Sequence, residues 1–402
     1  MYRLLSSVLL VLISSLSVTA QSFQVTGIVV NVENNQPMAG ASVFINNSSN
    51  GTTTNSAGEF TISNISTSSF ELVISFVSFE TVVVNITPEN IRKRFRVQMA
   101  VKENELQEVV VGPVDKDGWR NWGRLFTEFF IGTSKNAEQC RIKNPEVLKF
   151  RYNRKTHVLR VTALDRLLIE NKQLGLNISY QLEEFVNTGM MTTFYGYSSF
   201  EYMTSENERK VAGWKANRKE AYDGSIMHFM RAFYQNKTAD EGFELRQLLR
   251  LYKEDSTTIE LYNKIIGGDV SAYDTAKFVS QLMNGRGFGS AHPIIYIIAR
   301  SSLPEDSIRI FDSVNNRVHL SFGNHVMVRY KNELEKLEFA LQQYPSRRER
   351  QSQNSIINLP NLRSVTVDQQ GNYYNPLDVF TEGYWGWEKM AEFLPIDYKV
   401  GE

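Results

Sequence analysis

Residues 22–99 repeat one local pattern: a short run rich in β-branched and aromatic residues, then a cluster of turn formers. The runs fall at 24–32, 41–45, 59–62, 70–76, 81–86 and 95–99, separated by Asn34-Asn35 with Pro37, by 46–51 and by Ala57-Gly58. Strands this short and this closely spaced bury enough apolar surface only by packing face to face, which predicts an all-β sandwich. Val43 and Ile45 alternate with Ser42 and Phe44, as a half-buried strand requires. Gly58 is expected at positive φ, where a residue with a Cβ is strained.

Ahead of this module stands a different signal. Arg3 precedes an apolar, serine-broken stretch that closes with Val18-Thr19-Ala20 before Gln21. One positive charge, a short apolar core and small residues at the cleavage positions predict a signal peptide at 1–20, with the mature chain starting at Gln21. No Cys stands there to carry a lipid. After it, no stretch of about 18 uninterrupted apolar residues follows, so no transmembrane segment is expected. The 44 basic residues balance the 44 acidic ones, which gives no basic face for nucleic acid. The single cysteine, Cys140, excludes an internal disulfide and is expected to be a small buried apolar residue.

Three motifs in the first module stand in a recognisable order: Gly27-Ile28-Val29, Pro37-Met38-Ala39-Gly40-Ala41-Ser42-Val43, and residues 51–60, GTTTNSAGEF. Together they resemble the carboxypeptidase-regulatory-like domain, a transthyretin-like sandwich of seven strands. Asn55 stands where that family commonly has Asp, and Val77-Ser78-Phe79-Glu80 where it usually has a Gly-Tyr pair. The resemblance implies a non-catalytic accessory module of exported proteins, assigned here to 21–100.

Residues 105–113, ELQEVVVGP, then raise the question of a TonB box. In Bacteroidota receptors that carry the same sandwich, such a strand leads into a plug and a large barrel. Only 289 residues follow Pro113, without the series of ten-residue alternating segments that such a barrel needs. The stretch 101–118 is therefore read as a linker or edge strand, with contact to TonB left open.

From 119 to 402 the pattern predicts a β-rich α+β domain with a helical insertion around 207–285. Trp119, Trp122, Leu125, Phe126, Phe129 and Phe130 recur at helical spacing, and Gly132 ends that helix. Strands are expected at 158–163, 167–170, 176–185, 193–200, 308–311, 317–322, 325–330 and 364–368. Ile226, Phe229, Met230 and Phe233 line one face of a second helix, with Asp223 or Ser225 as its N-cap. Much of this region resembles the uncharacterised part that follows the regulatory-like domain in Bacteroidota exported proteins, a resemblance that implies no activity. Asp-Ser/Thr-apolar triplets beginning at Asp255, Asp274, Asp306 and Asp312 fit the O-glycosylation pattern of such proteins, and fit helix caps and turns equally well.

Catalytic templates are missing from this region. Ser225 and His228 share a helical turn, but no third group orients them, and neither GxSxG nor SxxK occurs. His157, His228, His292, His319 and His325 lack the close spacing of a metal site, and residues 285–289, GRGFG, lack the phosphate-loop Lys-Ser/Thr. No cofactor, metal or catalytic residue is assigned. The residues that suggest binding are Tyr384, Trp385 and Trp387 in GYWGW, with Tyr373 and Tyr374 nearby. They form either an aromatic platform for a glycan or protein partner, or a plug in the domain's own core. The expected function is a non-enzymatic cell-envelope protein, periplasmic, outer-membrane associated or at the surface. The alternative is an envelope hydrolase assembled from dispersed Asp, Glu and His.

Overall fold

The structure, a computed structural model, describes residues 22–67, 69–102, 113–189, 191–252, 273–275, 294–313, 317–343, 349–360, 364–373 and 376–402. The fold is mainly β. It divides into two compact units, Met1–Ile45 with Asn50–Val101, and Asn46–Ser49 with Lys102–Glu402. Among the described residues no helix is long and apolar enough to cross a membrane.

The first unit has seven strands: β1 (Phe23–Asn31), β2 (Ser42–Ile45), β3 (Gly51–Thr53), β4 (Glu59–Ile65), β5 (Phe70–Ser75), β6 (Val82–Ile86) and β7 (Arg94–Met99). One sheet runs β4-β1-β7, with β1 and β7 parallel, and the other runs β3-β2-β5-β6. Val25, Val29, Ile62, Val97, Val43, Leu72 and Ile74 meet in a single apolar core. Six of the strands match the apolar runs. The seventh, β3, is Gly51-Thr52-Thr53, which carries no apolar alternation and starts at the last residue of the 46–51 turn.

The motif residues of this unit have local physical reasons. A Cβ on Gly27 would lie 2.5 Å from the Phe60 ring and 2.7 Å from the Phe95 carbonyl, so only glycine lets β1 sit between its neighbours. Gly58 has φ +73°, as expected. Thr54 Oγ1 donates to Met38 O at 2.5 Å and accepts from Ala41 N at 2.8 Å, closing the PMAGA loop. Asn55 Oδ1 accepts from Ala57 N and Glu59 N, a turn that needs an acceptor and no charge, so Asn serves where Asp is common.

The second unit opens with α1 (Gly118–Phe130), ended by Gly132 at φ +111°. Strands β8 (Cys140–Ile142), β9 (Leu148–Asn153), β10 (Val158–Ala163), β11 (Leu167–Asn171), β12 (Leu176–Asn187) and β13 (Thr192–Tyr202) follow. They form one sheet in which the long β12 pairs with β11, β10 and β13. Phe126 and Phe130 of α1 pack against Phe150, Tyr180 and Phe185 of that sheet, whereas Trp119 remains 40% exposed.

Helices α2 (Glu208–Tyr222) and α3 (Ile226–Tyr234) come next. The helical expectation stops there. Phe243–Tyr252 is strand β14, and Tyr273–Thr275 is strand β15. In β14, residues 243–248 pair in register with β19 and residues 248–252 with β16, which overrides any helical reading of 243–252. The remaining elements are β16 (Ile294–Ala299), β17 (Arg309–Asp312), β18 (Arg317–Ser321), β19 (His325–Leu334), α4 (Leu337–Gln343), β20 (Ser352–Asn358), β21 (Ser364–Val367), β22 (Phe380–Gly383) and the single-turn α5 (Tyr384–Trp387). They build a sheet of order β15-β16-β14-β19-β20-β22 and another of order β17-β18-β21. The segments 103–112, 253–272, 276–293 and 344–348 lie outside the described residues. With them go most of ELQEVVVGP, the GRGFG loop and the Asp255 triplet.

Candidate functional site

Of the two readings of GYWGW, aromatic platform or core plug, the burial of its rings fits the plug. Tyr384, Trp385 and Trp387 are 0%, 5% and 9% exposed and sit in the core that joins α3, β14, β19 and β20. Trp387 packs on Phe339 and Tyr384 with ring centroids 5.7 and 5.5 Å away, and its Nε1 donates to Thr133 Oγ1 and Gln342 Oε1. Trp385 packs on Phe229 at 5.3 Å and donates from Nε1 to Gly224 O at 2.7 Å. Tyr373 is partly buried against the same core. Tyr374 lies outside the described residues. The flanking glycines do not present the rings outward. Gly383 takes φ +72°, and a Cβ there would lie 2.6 Å from Asn354 O, while one on Gly386 would lie 2.9 Å from Thr381 O. They let α5 seat against β20 and β22.

Behind this core, a cleft of about 490 Å³ opens in the second unit. Lys219, Tyr222 and Asp223 at the end of α2, His228, Arg231 and Gln235 of α3, Asp240 and Glu241 after α3, Tyr330, Asn332 and Glu333 of β19, and Val400 line it. The local sequence explains the turn that brings these elements together. Ser225 is the N-cap of α3, its Oγ accepting from His228 N at 3.2 Å, and Gly224 carries φ +77° between the two helices. The Gly224 amide is held on both sides: its N–H donates to His228 Nδ1 at 3.1 Å and its carbonyl accepts from Trp385. Trp385 thus supports the cleft from behind rather than lining it.

His228 is 6% exposed, stacked on Tyr222 at 4.8 Å and edged by Phe243 and Tyr330. With Nδ1 accepting from Gly224, the proton of the neutral ring sits on Nε2, which faces Glu241 Oε2 at 3.3 Å. Burial holds its pKa below the ordinary histidine value, and Glu241 only partly offsets this. Both ring nitrogens are therefore occupied and Ser225 is engaged as a cap, so the Ser-x-x-His spacing reports helix capping rather than a nucleophile and base.

The polar lining is mixed. Lys219 pairs with Asp223, and this hydrogen bond raises its pKa. Arg231 donates from Nε to Gln370 O at 3.0 Å and from Nη2 to Ile396 O at 2.8 Å, with its guanidinium over the Tyr222 ring at 5.3 Å. Glu333 is raised above the usual carboxylate range by burial and then by Asp223 and Glu220, against a 3.2 Å hydrogen bond from Gln353 Nε2. Burial pushes the Tyr330 hydroxyl up to about 12. Among the described residues, no group of three His, Cys, Asp or Glu side chains is arranged to hold a metal ion. The sequence offered the DGS turn and His228 as signals for this cleft. It offered none for Glu241 or Glu333, which the fold brings in from other elements.

Of the remaining sequence candidates, Cys140 is partly buried in β8, with its thiol pushed up to about 12 by burial and by Glu392. Ser307, in the Asp306 triplet, donates to Pro304 O at 2.6 Å within a helical turn. His325 accepts from Asn358 Nδ2 at 3.1 Å, and burial with the Arg250 charge pushes it down to about 4.

No curated protein matches the sequence. Among solved structures, a type II cohesin–X-dockerin complex mutant from Acetivibrio cellulolyticus is similar over 19% of this chain and 56% of its own, at 19% identity and TM-score 0.17. A 9R-lipoxygenase from Cyanothece is similar over 53% of this chain and 48% of its own, at 11% identity and TM-score 0.18. The matched part thus spans about half the length of each of those chains, and at these scores neither is a fold match. The family likeness of the chain lies in its first module, where residues 25–111 match the model of the CarboxypepD_reg-like domain.

Proposed function

We propose that this chain is an exported, non-enzymatic cell-envelope protein in which the sandwich is an accessory module and the second unit binds a hydroxyl-rich ligand, a glycan, in the cleft between α2, α3 and β19. Export rests on the 1–20 signal pattern, and a periplasmic or outer-membrane setting on the resemblance of the first module. The observation that carries the binding reading is the lining itself: carboxylates, the Asn332 and Gln235 amides and a fixed guanidinium converge in one cleft, while the hydroxyl of Ser225 is engaged as a cap. Carboxylates and amides fixed in a cleft accept and donate to vicinal hydroxyls. The test is equilibrium binding of a panel of envelope glycans to the wild type and to Asp240→Ala and Asn332→Ala. Binding that both substitutions weaken supports the reading; no binding, or binding indifferent to both, removes it.

One observation favours the hydrolase alternative. Glu333, raised by burial, shares the cleft with Asp223, which is ion-paired to Lys219, and two carboxyl groups in unlike environments are what acid and base roles require. Product formation from a bound glycan, lost in Glu333→Gln while binding persists, would shift the assignment from binding to hydrolysis.

A further inference from the structure

Two features of α1 stand apart from the packing of its buried face. Gly123 occupies the helix interior, where glycine is among the poorest helix formers, and Trp119, one turn earlier, leaves 40% of its surface in solvent. Each accounts for the other. A Cβ on Gly123 would lie 2.7, 2.9 and 3.0 Å from Cδ2, Cε3 and Cε2 of Trp119. The nearest atoms belong to the ring junction rather than to a ring edge, so the indole rests face-on against a residue that has no room for a side chain. Phe150 holds it from the sheet side, with ring centroids 6.3 Å apart. The indole is thus fixed in place by its own neighbours while part of it stays accessible.

From this ring runs an open groove of about 490 Å³, within the size range of small-molecule sites, which Arg124, Thr127, Glu128 and Thr133 line as well. It shares no lining residue with the cleft between α2, α3 and β19. Its two charged residues are opposite in sign and cancel. Arg120 of the same helix is taken up by Asp117 at 3.1 Å, whereas among the described residues Arg124 and Glu128 have no ion-pair partner. Thr127 Oγ1 donates to Gly123 O at 2.8 Å, which leaves its oxygen able to accept. We propose that this groove is a further binding site, for a neutral pyranose with equatorial hydroxyls, a β-linked glucose or N-acetylglucosamine unit stacked on Trp119. The ring C–H bonds of such a sugar form a flat apolar face that suits the negative face of the indole. Its hydroxyls both donate and accept, as a guanidinium that only donates and a carboxylate that only accepts require together. The balanced charge of the lining favours an uncharged ligand over a phosphate, a sulfate or a cation. The site does not depend on what the cleft binds.

The experiment is NMR titration of the full chain with cellotetraose and with chitotetraose, read at the indole N–H signals of its five tryptophans. The signal missing from Trp119→Ala identifies that ring, and in the wild type it should shift as either sugar is added. The Kd should rise by about tenfold in Trp119→Ala, which loses the stacked ring, and by about fivefold or more in the double variant Arg124→Ala, Glu128→Ala. Both residues of the double variant are exposed, so it keeps the test independent of the contact between Trp119 and Phe150. Asp240→Ala, in the cleft, should leave this binding unchanged. A Trp119 signal that neither sugar moves overturns the proposal, as does affinity that survives both groove variants. Sugar binding lost in Asp240→Ala but kept in Trp119→Ala places the sugar in the cleft, which overturns the groove site and leaves the cleft reading intact. Self-association that Trp119→Ala disperses, without any response to sugar, makes this face a contact between copies and overturns it too.

Discussion

Truncating Trp387 to Ala separates core from platform. The side chain is 9% exposed, two aromatic rings lie within 5.7 Å of it, and its N–H serves Thr133 and Gln342. Removing a buried aromatic of this kind costs about 3–5 kcal/mol, because the transfer free energy is lost and the surrounding side chains close the cavity only in part. Within that figure each ring pair contributes about 0.5–1.5 kcal/mol and the hydrogen bond about 1 kcal/mol. Trp387→Phe keeps most of the packing and gives up the N–H, so its loss should be close to 1 kcal/mol. A domain of this size shifts by roughly 2–4 °C per kcal/mol, so the Ala variant should melt roughly 6–20 °C below wild type and the Phe variant only a few degrees below. Differential scanning calorimetry of the three proteins reads both shifts. An Ala variant that melts like wild type, while losing capture of a glycan or protein partner, would refute the core assignment and restore the platform.

Three further outcomes are expected. Gly224→Ala should destabilise by about 2–5 kcal/mol in urea denaturation, since its φ is +77° and a new Cβ would lie 2.3 Å from Gln353 Oε1 and 2.6 Å from the Tyr330 ring. His228 has a depressed folded pKa, so its contribution is present above 6.5 and is lost as pH falls below it, by at most about 1.4 kcal/mol per unit. His228→Asn, which cannot ionise, should show a smaller difference in urea stability between pH 7 and pH 5 than wild type does, and an unchanged difference would discount the buried neutral ring. Cys140, with its thiol pushed up to about 12, should react slowly with a disulfide reagent at pH 8 and at the rate of a free thiol only in denaturant; fast native reaction would contradict its burial.

The sandwich was legible because its causes are local. Six of its seven strands announce themselves as apolar runs, and Gly58 and Asn55 close their turns with backbone and side-chain chemistry contained in a few residues. The same holds for α1, ended at Gly132, for β10 and for the Ser225 cap. Where the local signal was weak, the reading failed. β3 is two threonines and a glycine that become a strand only because β2 offers them partners, and 243–252 is a strand because β16 and β19 flank it. Trp385 and Trp387 look alike as core or as platform in sequence, since a ring flanked by glycines has no side until the chain folds around it. The cleft is the furthest from sequence. Asp223, His228, Glu241 and Glu333 meet because α2, α3 and β19 pack together. The depressed histidine and raised glutamate then come from desolvation, which no single element produces and which exists only once the elements have excluded water from one another.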